Sequence, residues 1–244
     1  MANMFFGCIN LEKINLWNIN TTLVENMSGF FKDCKNLISI DLSYFDTSSV
    51  TTMQEMFSNC KKLKSIDASS FNTSKVTDMG DLFGYCDDLI TVNISNFDIS
   101  KVTNIGGMFI QDYELKYLDA RSFRDTPLNS IGFMFSQVRS LIYLNFKNFK
   151  INNISSLKPN PFNGAPTKVR HFCVNDQETI EYLNTNHQKD SSIGELISDC
   201  PNDCFKENTK IYINDDDCTD NCELYSYNNI CYSSCPRDTY IIYK

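Results

Sequence analysis

Cysteine is the residue type in this chain best placed to do chemistry. Cys200, Cys204, Cys218, Cys222, Cys231 and Cys235 form three C-x3-C pairs near the C-terminus. Thiols at that spacing either close disulfides or hold zinc, because structural zinc takes cysteine knuckles of this kind. Little apolar material lies between them, and a segment that cannot build a core leans on disulfides. The six are therefore expected in disulfides of unassigned pairing, with zinc as the alternative and free thiols third. Cys8, Cys34, Cys60 and Cys86 recur every 26 residues. A column of them reads as small buried hydrophobes, although neighbouring rungs stand close enough to bridge. Cys173 lies two residues from His171, so on a strand a nucleophile and a base would face one side. No third orienting group or oxyanion motif accompanies them, and catalysis is not expected there. Asp41 and Asp67, one repeat apart, offer two carboxylates on a flat face, too few for calcium. The chain has two histidines, His171 and His187, and carries no G-x-x-x-x-G-K-[ST], G-x-G-x-x-G, H-E-x-x-H or G-x-S-x-G motif. The residues point to no enzyme, no cofactor and no resident metal.

These side chains are positioned by an internal repeat. Phe5, Phe31, Phe57, Phe83, Phe109 and Phe135 are spaced 26 apart. Leucines follow at 11, 37, 63, 89, 115 and 141, and a second aromatic column runs Phe45, Phe71, Phe97, Phe123, Phe149. In Leu63-Lys64-Ser65-Ile66-Asp67-Ala68 the apolar residues alternate as in a half-buried strand. From Val50 to Cys60 they fall at helical spacing, opened by a threonine cap with Glu55 in the first turns. Between the two, Phe45-Asp46-Thr47-Ser48 has the side chains of a turn. The period and parts match a leucine-rich repeat. The expected fold is an α/β solenoid of six 26-residue strand-turn-helix units, stabilised by stacking and followed by a small disulfide-rich tail.

The string Met56-Phe57-x-x-Cys60-x-x-Leu63-x-x-Ile66-Asp67-x-Ser69-x-Phe71-Asn72-Thr73-Ser74-x-Val76-Thr77-x-Met79 resembles the BspA-like leucine-rich repeat surface proteins of bacteria and protists. The resemblance covers residues 4 to about 160. It implies a surface-exposed, non-enzymatic protein that binds or adheres, with the phenylalanines as an aromatic ladder on the convex side. Cys231-Tyr-Ser-Ser-Cys235-Pro236 is similar to the furin-like cysteine-rich modules of protist surface proteins. The chain starts in mid-unit without a polar capping segment or a visible signal peptide, which predicts a longer reading frame upstream.

Strand positions facing away from the core form two columns. One reads Asn15, Asp41, Asp67, Asn93, Asp119, Asn145, and the other Trp17, Ser43, Ser69, Ser95, Arg121, Lys147. With Tyr117 and Tyr143 beside them, these residues make either a solvated sheet face or a concave ligand surface. Tyr117, Arg121, Tyr143 and Lys147 supply the aromatic and cationic mixture of binding hot spots. Trp17, Asp41, Asp67, Asn93, Tyr117, Asp119, Arg121, Tyr143, Asn145 and Lys147 are the candidate ligand-binding set. Asn20, Asn72 and Asn153 are the best-placed glycosylation sequons. A net charge of -8 argues against nucleic acid, and no apolar run approaches the ~18 residues of a membrane helix. The expected organisation is a repeat region over 1–157, its C-terminal cap over 158–198 and a cysteine-rich module over 199–244. The expected function is recognition of a protein or glycan, on host cells or matrix, at the cell surface or outside the cell. The rival readings are an intracellular scaffold or signalling adaptor, and an architectural coat component.

Overall fold

The computed structural model describes residues 1–124, 126–150, 161–162, 171–187, 211–213, 218–219, 225–227 and 230–232. The chain divides into two compact units, Met1–Ser198 and Asp199–Lys244. In the first, each repeat forms one rung, and among the described residues five rungs carry a three-residue strand. These are β1 (Ser65–Asp67), β2 (Thr91–Asn93), β3 (Tyr117–Asp119), β4 (Tyr143–Asn145) and β5 (His171–Cys173). They pair in parallel in chain order, Ile66 opposite Val92 and Leu118 opposite Leu144. A second ladder of parallel bridges links Asn26, Thr52, Asp78, Asn104 and Ser130.

Among the described residues the repeats carry no helix, and the expectation of an α/β solenoid with six strand-turn-helix units is corrected. The one helix among the described residues is α1 (Gln177–His187), outside the repeats. Its start is capped by Asp176, whose Oδ2 accepts the Thr179 N–H at 2.9 Å and the Thr179 hydroxyl at 2.7 Å. In the repeats, backbone N–H groups alternate between two partners. Those of Met27, Gly29, Phe31 and Asp33 reach the carbonyls of Thr52, Gln54, Met56 and Ser58 in the next rung, at 2.8–3.1 Å. Those of Phe30, Lys32 and Cys34 close four-residue turns onto Met27, Gly29 and Phe31 at 3.0–3.2 Å. A helix would instead send each N–H to the carbonyl four residues earlier.

Backbone chirality enforces this. Asn3, Gly29, Glu55, Asp81, Gly107 and Phe133 all have φ between 52° and 63°. Gly7, Asp33, Asn59, Tyr85, Gln111 and Gln137, four residues on, all have φ between 59° and 70°. Two left-handed residues four apart in each unit end any right-handed helix before it propagates. Tight turns in series still return Met53, Met56, Phe57 and Cys60 to one side, so the apolar spacing imitates a helix.

The core between the two ladders is continuous. Phe31, Phe57, Phe83, Phe109 and Phe135 are each 0% exposed. Their rings stack face to face from Phe5 onward, with centroids 5.3–5.9 Å apart and planes within 5–17°. Phe162 extends the pile at 5.3 Å from Phe135. Buried threonines hook successive rungs: the Thr47 hydroxyl donates to the Asn72 carbonyl at 3.0 Å and accepts the Asn72 N–H at 2.7 Å.

Among the described residues the second unit holds four short strands, β6 (Ile211–Ile213), β7 (Cys218–Thr219), β8 (Tyr225–Tyr227) and β9 (Ile230–Tyr232), in the order β7-β6-β9-β8. β6 runs parallel to β9, and the outer pairs are antiparallel.

Candidate functional site: the strand face and its turn column

An Asp or Asn at one place in each of six rungs, the last residue of the strand in β1 to β4, folds its side chain back on the chain. Oδ1 of Asn15, Asp41, Asp67, Asn93, Asp119 and Asn145 accepts the N–H two residues on, at 2.9–3.2 Å. Asp41 and Asp67 also take the hydroxyls of Ser43 and Ser69, both at 2.7 Å. The amide of Asn93 reaches across the rung to Asp67 Oδ1 at 2.9 Å. These are Asx turns, and they spend one carboxylate oxygen of each Asp on the backbone. The turn fixes the next two residues in every rung, so the neighbouring column from Trp17 to Lys147 rides on one repeated backbone.

Exposure along this face falls from the first rung to the sixth. Trp17 is 60% exposed and Tyr44, beside it in the second rung, is 51%. Asp41 and Asp67 are exposed, and Asn93, Tyr117, Asp119, Arg121 and Lys147 are half-buried. Tyr143 and Asn145 are 2% and 0% exposed, so their side chains lie inside. Arg121 is clamped to Asp119, Nη2 to Oδ2 at 2.6 Å and Nε to Oδ1 at 3.2 Å. The open part of the candidate set is therefore Trp17, the Asp column with Asn93, the Tyr117–Arg121 rung and Lys147. Sequence reasoning passed over Tyr44; its place next to the column, one residue after Ser43, was the available signal.

Asn20 and Asn72 are exposed, and each side-chain carbonyl accepts the hydroxyl of its own sequon, from Thr22 at 2.8 Å and Ser74 at 2.7 Å. Asn153 lies outside the described residues, as do Cys200, Cys204, Cys222 and Cys235. Cys218 and Cys231 are described in backbone alone. Cys173 is buried and disulfide-bonded, which leaves no thiol beside His171 to attack a substrate.

The repeat cysteines are free. Cys34, Cys60 and Cys86 are each 0% exposed and donate S–H to the carbonyls of Phe5, Phe31 and Phe57 at 3.1–3.2 Å. Burial first, and then the neighbouring Cys8, pushes the Cys34 thiol up to about 11. Burial also raises Cys60 and Cys86 well above the ordinary thiol value. The thiolate is the reactive form. Alkylation of the folded chain is therefore expected to label exposed Cys8 fast, and Cys34, Cys60 and Cys86 only after denaturation. Peptide mapping that finds Cys60 labelled as fast as Cys8 would contradict the packing described here.

Among the described residues, no group of three or more His, Cys, Asp or Glu is placed to hold a metal ion. No helix among them is long and apolar enough to cross a membrane. Comparison with known proteins finds no match among curated proteins and none among solved structures. One family model does match, over residues 1–118 and 64–171, and its description is "Mycoplasma protein of unknown function, DUF285". The match supports the BspA-like resemblance loosely, at the level of a repeat family, and reaches neither a leucine-rich repeat nor a furin-like segment. Since those matches span most of the 244 residues, the chain belongs to the DUF285 family.

Proposed function

We propose that this chain is a cell-surface or secreted recognition protein that binds a protein or glycan ligand across its strand face. The observation that carries the reading is the pairing of a repeated backbone with unlike side chains. The Asx turns hold all six rungs alike, while the column beside them runs Trp17, Ser43, Ser69, Ser95, Arg121, Lys147. A rigid scaffold that displays an exposed indole at one end and cations at the other suits an extended partner, because preorganised side chains lose little freedom on binding. Aromatic and arginine side chains also carry most of the energy in typical interfaces. The cysteine-rich segment over 199–244 serves in this reading as a disulfide-stapled stalk, and Asn20 and Asn72 as sites for glycan.

The test converts the column to the residue its middle rungs already carry. The triple variant Trp17→Ser, Arg121→Ser, Lys147→Ser keeps the fold, since Ser43, Ser69 and Ser95 occupy the same turn. Against host cells, matrix proteins and a glycan array, it is expected to bind about tenfold more weakly or worse, the loss of roughly one hot-spot contact. Unchanged binding by the folded variant would move the site off this face. Absence of any binding by the parent chain, with concentration-dependent scattering, would favour the architectural coat.

A further inference from the structure

The thiol column does not end in a thiol. Its fifth place is taken by Asp112, which is 0% exposed. Asp112 Oδ1 accepts the N–H of Cys86 at 2.8 Å. In the two preceding rungs the equivalent N–H groups, of Cys34 and Cys60, bond the carbonyls of Phe31 and Phe57 at 3.0 and 3.2 Å. Asp112 Oδ2 is buried and accepts no hydrogen bond. One N–H is poor solvation for a buried carboxylate, and a buried acid without a cation gives up its charge instead. The titratable groups acting on it are the Cys86 thiol and the Asp87 carboxylate, and Asp87 opposes a second negative charge. Asp87 is itself paired with Lys61 at 2.9 Å. On the far side the column continues with buried Val138.

We propose that Asp112 keeps its proton in the folded chain, and that this proton makes the seam between the fourth and fifth rungs sensitive to pH. A neutral carboxylic acid is a donor, as a thiol is. Cys34, Cys60 and Cys86 donate to the carbonyl 29 residues earlier. Asp112 Oδ2 makes no such bond, so its proton spares the rung a buried charge without adding a donor contact. Desolvation, and then Asp87, hold the carboxyl well above the ordinary carboxylate range, against the Cys86 N–H.

The sign follows from linkage. The folded carboxyl titrates above its unfolded value of about 3.9. Its contribution is whole below that value, declines as only the unfolded chain sheds the proton, and is gone once pH passes the folded value. The stack is therefore loosest at this seam in alkaline solution.

The experiment is urea unfolding of the full chain from pH 4.5 to 8, for wild type, Asp112→Asn and Asp112→Cys. The folding constant of wild type relative to either variant is expected to fall by about tenfold or more across that range. Asp112→Cys restores the residue of the four rungs before it, so it reads the proposal even if the asparagine variant does not fold. At neutral pH the infrared band of a protonated carboxylic acid is expected in wild type and absent from Asp112→Cys. A ratio that stays constant with pH, or wild type without that band at neutral pH, would overturn the proposal.

Discussion

Replacing Phe83 with alanine is expected to lower the stability of the repeat unit by about 3–5 kcal/mol, the range for deleting a buried phenyl ring from a core that only partly collapses. Phe83 is 0% exposed and stacked on both faces, on Phe57 at 5.9 Å and on Phe109 at 5.6 Å. Two aromatic pairs are lost with the one ring, each worth about 0.5–1.5 kcal/mol beyond its buried area. In a stack whose rungs contact their neighbours alone, a gap in the middle weakens two interfaces at once. Phe5→Ala is the control. That ring is half-buried at the end of the pile, with one stacked partner, Phe31, at 5.3 Å. It is expected to cost about 1–2 kcal/mol, the worth of a partly buried side chain. Urea denaturation of both variants decides. A loss at Phe83 no larger than at Phe5 would mean that the ladder is not a continuous core.

The ladder was legible because stacking needs one residue type at one spacing, and six phenylalanines at intervals of 26 state both. Phe162 escaped because it follows Phe135 by 27 residues, yet it completes the pile at 5.3 Å. The turn half was misread for a physical reason. Apolar residues at Met53, Met56, Phe57 and Cys60 satisfy a helix and a series of tight turns equally, and periodicity cannot separate them. Two columns held the distinguishing signal. Asn3, Gly29, Asp81 and Gly107 in one, and Gly7, Asp33 and Asn59 in the other, are the residue types that tolerate positive φ, and all of them adopt it. Glu55, Tyr85 and Phe133 share the conformation without advertising it. On the strand face, the D-x-S spacing of Asp41-Leu42-Ser43 and Asp67-Ala68-Ser69 already spelled an Asx turn. Oδ1 in each bonds the serine N–H and hydroxyl, as that spacing allows. The burial of Tyr143 and Asn145 was not legible at all. Within the repeat pattern they occupy the same places as exposed residues in earlier rungs.

Thr73→Val is expected to cost about 2 kcal/mol although it exchanges one hydroxyl for a methyl of similar size. Thr73 is 1% exposed; its hydroxyl donates to the Asp98 carbonyl at 2.9 Å and accepts the Asp98 N–H at 2.7 Å. One atom thus satisfies both backbone groups of a residue in the next rung. Valine leaves the two unpaired, and each such group costs about 1–3 kcal/mol where water is excluded, less at the partly wet edge of a rung. Thr21 with Asp46 and Thr47 with Asn72 repeat the hook, and Ile99, 1% exposed, interrupts it in the fourth rung. Two controls separate the hydrogen bonds from packing. Thr73→Ser keeps the hydroxyl and gives up a methyl, an expected loss of about 1 kcal/mol. Ser49→Ala removes another inter-rung hydroxyl bond, to the Thr22 carbonyl at 2.9 Å, but at an exposed site. Water replaces it there, so the loss is expected to be about 0.5 kcal/mol or less. The order Thr73→Val, then Thr73→Ser, then Ser49→Ala, read from urea midpoints at constant slope, is the signature of hydroxyl hooks as the fastening between rungs. A Thr73→Val chain as stable as the serine variant would assign the fastening to the apolar columns alone.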